Sequence, residues 1–354
     1  MMKKLKVAVI GCGTISRGQH IPAYINSGMA EIKYLVDDIV ERAEDAAKEF
    51  GVANATNDLQ AVLADPDIDA ISVCTPNTTH APISIAAMRA GKHVLCEKPA
   101  GMNYDEVLEM KQVADETNRI LNIGVVNRYN TAVNKIKAII DNGELGNVYH
   151  VYCSFRSHRS IPGLGGPFTI KAKSGGGVLI DWGVHFLDLI FYVLGEHTKA
   201  RTVSGATYGE LGAQIQDYTY TSMWAGPPNR EGIFNVDDFI TGLIRTTGPT
   251  ISLNGAWAQN IGENAMFIEF LGSKAGIKLQ YGGDFKIFST KNGMLLETEA
   301  KFIKENMFEE EIKSFLVSVS ENKKDRANID HIMTTTKVLD ALYESSIKGR
   351  EIMV

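Results

Sequence analysis

The sequence predicts an α/β fold in two parts. A doubly wound parallel sheet is expected over residues 1–127, followed by an α+β region over 128–354 with a large, predominantly antiparallel sheet. Two observations carry this. As far as Asn130, short apolar strand-like runs alternate with helical segments, the order that βαβ units require. From Arg201 to Thr298 the chain is mostly alternating, β-branched and aromatic.

The run LKVAVIG ends in a glycine turn, and GCGTISRGQHIPAYI follows with helical apolar spacing. Strand, Gly-x-Gly, helix is the order in which a dinucleotide pyrophosphate rests on a helix N-terminus, and it marks the Rossmann form of the sheet. Gly11 and Gly13 permit the tight turn. Ser16 stands where Gly or Ala is usual and is small enough for helix and strand to pack. The strand EIKYLVDD reaches Asp37, 24 positions after Gly13 (37 − 13), where an acid accepts hydrogen bonds from the adenosine ribose. Asp38 follows, and no Arg or Lys occurs until Arg42. Two adjacent carboxylates repel a 2′-phosphate, so NAD is expected over NADP. Capping of the helix VERAEDAAKEFG is the alternative role for these acids. LQAVLADPDI, ISIAAMRAGK and DEVLEMKQVADETN then read as helices, and DAISVCTPNTTHA, HVLCEKPAG and RILNIGVVNRYN as strands with their exits. Ligands of such sheets lie beyond the carboxyl ends of the strands, where CTPN, EKP and NRYN fall.

Past Asn130 a helix, AVNKIKAIIDNG, leads into NVYHVYCSFRSH. RTVSGATY, DFITGLIRTT, TISLNGAWA, MFIEFLGS, GIKLQY and FKIFST read as strands, and helices over 307–320 and 329–348 close the chain. Without repeats or a flexible linker the two parts join tightly, and a crevice between them is the expected substrate position.

At 354 residues, with 44% apolar and 22% charged residues, the composition is that of an ordinary globular protein. No uninterrupted apolar stretch has the length of a membrane span, and MMKKLKVAVIG runs straight into strand and turn, so a cytoplasmic location is expected. Cys12, Cys74, Cys96 and Cys153 lack CxxC spacing and read as reduced structural thiols. A net charge of -6 without a basic tract argues against nucleic acid or an anionic membrane as partner.

The stretch SGGGVLIDWGVHFLD, Ser174 to Asp188, is the densest in chemistry. Gly175, Gly176 and Gly177 mark a sharp bend or a backbone passing close to something bound. In the apolar run that follows, Asp181, His185 and Asp188 are the only acidic or basic side chains, and steps of four and three put them on one helix face. A charge in so apolar a helix needs a partner or is neutralised. Such a cluster serves either as a site or to tie the helix to its neighbours. The spacing also suits zinc or manganese, but no third ligand accompanies it, and no metal is expected.

These pieces together resemble the Gfo/Idh/MocA family of nicotinamide-dependent oxidoreductases. The resemblance covers nearly the whole length, through VAVIGCGTIS, SVCTPNTTH, HVLCEKPAG and GGGVLIDWGVHFLDLIFYVLG in that order. The conjunction of EKP with GGG-x3-D-x3-H-x2-D after a dinucleotide turn is far more specific than either alone. The resemblance implies an NAD-dependent dehydrogenase of a sugar, cyclitol or glycoside secondary hydroxyl, glycoside 3-dehydrogenases included. Lys98, Asp181 and His185 would converge on that hydroxyl. The chemistry is consistent: His185 suits removal of the proton near neutral pH, Lys98 stabilises the developing alkoxide, Asp181 orients the imidazole or binds a neighbouring hydroxyl, and Asp188 braces His185.

On the cofactor side the resemblance carries Gly11, Gly13, Thr14 and Ile15 to the phosphates and Asp37 to the ribose. Thr75, Pro76, Asn77 and His80 line the adenine-to-nicotinamide path, Glu97 and Lys98 lie near the nicotinamide ribose, and Asn127 belongs to the next strand end. A surface histidine at a helix start is the other reading of His80. Arg128 is expected to face the substrate. In the second part, FRSHRSIPGLGGPFTIKAKSGGG has no regular pattern after His158, and loops of that length are commonly functional. Arg156, His158, Arg159, Lys171 and Lys173 are its candidate contacts to a polyhydroxylated ring, with Trp182 as an apolar face, although a solvated loop accounts for some of these charges. A homo-oligomer, dimer or tetramer, is expected through the open face of the antiparallel sheet, by analogy with the family. Two rivals stand beside the dehydrogenase. One is an NAD-recycling glycosidase acting by transient oxidation and elimination. The other is a non-catalytic NAD-binding regulator, which predicts loss of Lys98 or His185.

Overall fold

The computed structural model describes residues 4–354, which form two compact units. The first comprises the chain up to Asn130 together with Glu305–Met333, and the second comprises Thr131–Lys304 with Thr334–Val354.

The first unit is built on six parallel strands: β1 (Leu5–Ile10), β2 (Ala30–Val36), β3 (Asn54–Thr56), β4 (Ala70–Val73), β5 (His93–Cys96) and β6 (Leu121–Ile123). Their order is β3-β2-β1-β4-β5-β6. The chain therefore winds outward in both directions from β1, and the switch between β1 and β4 opens a crevice at the strand ends. Successive residues of β1 enter opposite cores. Val7 and Val9 pack with Ile21, Tyr24 and Ala43, whereas Ala8 and Ile10 pack with Met88 and Met110. Side chains bind several helix starts. Asp58 accepts the Ala61 N–H and Asn103 that of Glu106, caps that contribute about 1 kcal/mol each.

The second unit carries nine strands: β7 (Val148–Arg156), β8 (Ala200–Tyr208), β9 (Phe239–Thr246), β10 (Thr250–Ala256), β11 (Ala265–Gly272), β12 (Ala275–Gln280), β13 (Phe285–Lys291), β14 (Met294–Glu299) and β15 (Ile352–Met353). Their order is β14-β13-β12-β11-β7-β10-β9-β8-β15, with β7 and β10 parallel and the other pairs antiparallel. Val151, Cys153 and Phe155 of β7 share one core with Leu187, Ile190 and Val193 of helix Val184–Leu194 and with Val338 and Leu342 of helix Met333–Lys348.

The division expected at 127/128 differs from the observed one in two ways. The first segment runs to Asn130, and helix Met307–Glu321 joins the first unit rather than the second. Its Ile312, Phe315 and Leu316 complete the core that Val7 and Val9 begin, so burial of an apolar face decides its membership. Lys171–Leu194 is long and apolar enough to cross a membrane, but 83% of its apolar window is buried in the protein, as befits a core helix.

Candidate active site

At the end of β1, Gly11 has φ +92°, and a Cβ there would overlap the Cys74 carbonyl, so glycine is required. The Gly11 N–H donates to Val36 O at 2.7 Å. Gly13 and Thr14 stand exposed at the start of the following helix, as an anion site needs. Asp37 is fixed against this turn: Oδ2 accepts the Cys12 N–H at 2.8 Å and Oδ1 the Ile39 N–H at 3.0 Å. Asp37 thus stands at the turn and bonds the N–H of Ile39, but it does not cap the helix Val40–Phe50, whose N-cap is Ile39 without a side-chain bond. Burial, then the Asp37 charge, pushes the Cys12 thiol up to about 12, and all four cysteines are free and buried.

Beyond β4, the Thr79 hydroxyl donates to Thr75 Oγ1 at 2.7 Å, and Asn77 opens helix Asn77–Arg89. His80 is no surface residue. It is 1% exposed, with Nδ1 2.7 Å from Pro99 O and Nε2 2.8 Å from Thr75 O. Two carbonyls favour its charged form, but burial opposes it more strongly and lowers the pKa.

Beyond β5, Lys98 is half-buried and precedes a cis peptide to Pro99. Glu97, expected near a ribose, turns inward instead. Oε1 lies 2.8 Å from His20 Nε2, and Oε2 accepts the Lys98 N–H at 3.0 Å. Nδ1 of the same histidine is 2.9 Å from Ser72 Oγ. Burial works against both charges. The neighbouring Cys74 and Glu97 nevertheless raise the His20 pKa well above its usual value, and His20 lowers that of Glu97. Both shifts favour the charged forms of the pair, imidazolium and carboxylate. Nearby, Glu311 is 1% exposed and its pKa is raised, first by burial and then by the Glu97 charge.

Asn127 and Arg128 lie in the 3-10 turn Val126–Tyr129, both buried. The Arg128 guanidinium, expected to face substrate, donates to the carbonyls of Arg326 (2.5 Å) and His331 (3.1 Å), fastening the returning segment of its own unit.

In the second unit the glycine run is a bend wrapped around Asp237. A Cβ on Gly177 would overlap the Asp237 backbone carbonyl, which itself accepts the Val178 N–H at 2.9 Å. The Asp237 carboxylate accepts the N–H groups of Gly177 (2.8 Å) and Leu179 (2.9 Å) and the Tyr343 hydroxyl (2.8 Å). The helix launched from these bonds opens with a π-helical turn, Leu179–Gly183, before regular α geometry over Val184–Leu194. Such turns recur at functional sites. Asp181 is 7% exposed and His185 half-buried, while Asp188 is 1% exposed and accepts the Thr335 hydroxyl at 3.4 Å. Asp188 is therefore bound to the neighbouring helix from within.

Of the loop candidates, Arg156 Nε donates to Ser154 Oγ at 3.1 Å. His158 Nδ1 lies 2.9 Å from Ile261 O, and Arg159 bonds Asn260 and lies over the Tyr218 ring. Lys171 and Lys173 are exposed on a short helix whose last residue, Ser174, is buried, and Trp182 is half-buried. A second irregular segment, residues 209–238, braces this loop: the N–H groups of Thr221, Asn229 and Asn235 donate to Arg159 O, Leu164 O and Thr169 O. Trp224 stands edge-on to Phe168, ring centroids 4.9 Å apart.

Sequence reasoning missed His20, Asp237 and Glu311. His20 and Glu311 carry no local signal: Glu311 is the last of three consecutive glutamates in helix Met307–Glu321, and His20 ends the polar segment SRGQH, so neither stands apart from its solvated neighbours. The pair Asp237–Asp238 entering an apolar strand after Val236 is a usable one, since acids there must be bonded.

Comparison with known proteins adds the following. Residues 5–125 match the model of the oxidoreductase family with NAD-binding Rossmann fold, and residues 133–278 match the GFO/IDH/MocA C-terminal domain. The chain is 28% identical over 351 residues to D-glucoside 3-dehydrogenase of Escherichia coli (strain K12), covering 98% of this chain and 97% of the relative. It is 33% identical over 265 residues to 1,5-anhydro-D-fructose reductase of Ensifer adhaerens, covering 73% and 75%. Levoglucosan dehydrogenase, solved in complex with NADH and L-sorbose, has the same fold: TM-score 0.86, 22% identity, covering 100% of this chain and 99% of that one.

Proposed function

Since the chain belongs to the Gfo/Idh/MocA family of oxidoreductases, we propose that it is an NAD-dependent dehydrogenase of a secondary hydroxyl on a sugar, cyclitol or glycoside. The observation that carries this is similarity along 98% of the chain to a glucoside dehydrogenase, in a sequence that has both Lys98 and the Asp181–His185 pair.

The residues fit NAD. The turn at Gly11 admits no side chain, Gly13 and Thr14 are exposed at a helix start, and Asp37 stands at that turn with Asp38 beside it to repel a 2′-phosphate. Thr75, Pro76 and Asn77 at the β4 exit continue the cofactor path. NAD, when bound, supplies the hydride acceptor. His185 removes the hydroxyl proton, and its partial exposure leaves the ring reachable. The Lys98 ammonium stabilises the negative charge growing on that oxygen and holds it in line. Asp181 orients the imidazole or binds the adjacent hydroxyl. Trp182, Lys173 and the loop 157–175 set the choice of sugar, with Arg156 and His158 at its base. Screening free sugars, inositols and aryl glycosides with NAD while following NADH tests this; no NADH with any of them would refute it.

The same proposal extends to assembly and place. A homo-oligomer is supported by exposed Tyr149 and Tyr152 on β7, Phe288 on β13 and Leu295 on β14. Light scattering is expected to give more than a monomer mass at micromolar concentration, and a monomer would refute it. Four free cysteines support a cytoplasmic location.

A further inference from the structure

The chemistry assigned to Lys98 needs its ammonium held at a fixed point, yet a lysine has a long flexible stem. The backbone that carries it is held from two sides by buried histidines. On one side His20, 1% exposed, comes from the segment that follows the Gly11–Gly13 turn. Its Nε2 is 2.8 Å from Glu97 Oε1, and the other Glu97 oxygen accepts the Lys98 N–H at 3.0 Å. Its Nδ1 is tied to Ser72 of β4 at 2.9 Å, so the ring cannot turn without breaking two bonds. On the other side His80, also 1% exposed, comes from the helix after β4; its Nδ1 lies 2.7 Å from Pro99 O, which it bonds when that nitrogen carries the proton, and its Nε2 lies 2.8 Å from Thr75 O. The residues before and after Lys98 are thus each bonded to a different helix of the nucleotide-binding unit.

We propose that His20, acting through Glu97, and His80, acting on the Pro99 carbonyl, are positioning residues for Lys98. They link the geometry of the dinucleotide turn and of the β4 exit to the placement of the lysine. The proposal rests on the reading of Lys98 as the group that stabilises the alkoxide. Neither histidine needs to touch substrate or cofactor. A buried carboxyl with one oxygen on His20 and the other on the Lys98 N–H is restricted to one rotamer, because leaving either group without its partner would be costly.

The test compares His20→Gln, His20→Ala, Glu97→Gln, His80→Gln and His80→Ala with the wild type and with Lys98→Ala. Val113→Ala serves as a control that lowers stability in the same unit at a buried apolar residue. Measured quantities are NAD affinity by titration, kcat, and the primary isotope effect with substrate deuterated at the oxidised carbon. Expected are a kcat lower by about 10–100-fold in the alanine variants and in Glu97→Gln, with NAD affinity within about threefold and a larger isotope effect as the chemical step becomes limiting. Partial recovery is expected in the glutamine variants of the histidines, which retain one donor. The inference is overturned by full kcat in His20→Ala and His80→Ala, by a loss of NAD affinity matching the loss of kcat, or by an equal kcat loss in Val113→Ala at equal melting temperature. Wild-type kcat in Lys98→Ala would instead overturn the reading of Lys98 beneath it.

Discussion

The carboxylate of Asp237 accepts the backbone N–H of Gly177 at 2.8 Å, and through its second oxygen that of Leu179 at 2.9 Å. One buried side chain thus fixes both the glycine bend and the first turn of the helix that carries Asp181 and His185. Removing it leaves those donors and the Tyr343 hydroxyl buried without an acceptor. Asp237→Ala is expected to cost on the order of 3 kcal/mol of stability, measured by denaturant unfolding. It should also lower kcat more than it weakens NAD. A loss below about 0.5 kcal/mol would contradict this role.

Lys98→Ala and His185→Ala are expected to lower kcat by about 100-fold or more while leaving NAD binding nearly intact. Titration of NAD against each variant, alongside steady-state rates, separates the two effects. Equal loss of NAD affinity in both would remove them from the chemistry.

Asp37→Ala is expected to weaken NAD and to relax discrimination against NADP, since on the proposed reading it removes the ribose acceptor and half of the acidic pair that would repel a 2′-phosphate. The ratio of kcat/KM for the two cofactors checks it. An unchanged ratio would count against the ribose contact.

Glu311 supplies a prediction about pH. Neither of its oxygens has a hydrogen-bond partner among the described residues, and its folded pKa is raised above the usual 4.5 by burial. Above pH 4.5 the unfolded chain therefore binds fewer protons than the folded one at this position, and stability falls as pH rises toward the folded value. Glu311→Met, similar in size and without a charge to bury, should raise the melting temperature, with a gain larger at pH 8 than at pH 5. A gain independent of pH would show that Glu311 is not the source.

Much of the fold is legible because it rests on local periodicity. The first strand, the Gly11 turn and Asp37 follow from spacing alone, as do most strands of the second sheet. β14 is not legible from its side chains, which are mostly exposed and show no apolar alternation; Asn292-Gly293, with φ 51° and 75°, is the hairpin signal that marks it. The residence of helix Met307–Glu321 in the first unit is a long-range packing fact that no local pattern contains. Of the proposed site residues, Lys98, Asp181 and His185 stand in motifs that are legible in the sequence. The inward turn of Glu97 and the burial of His80 were not, because each depends on a partner distant in sequence, Ser72–His20 for one and Pro99 for the other.

The most direct test of the proposed chemistry is to follow NADH and released aglycone together with an aryl glucoside and stoichiometric NAD. One NADH formed for each oxidised sugar, with no aglycone released ahead of it, is the expected result. Aglycone release with no net NADH would show transient oxidation and elimination instead, and would contradict assignment as a dehydrogenase.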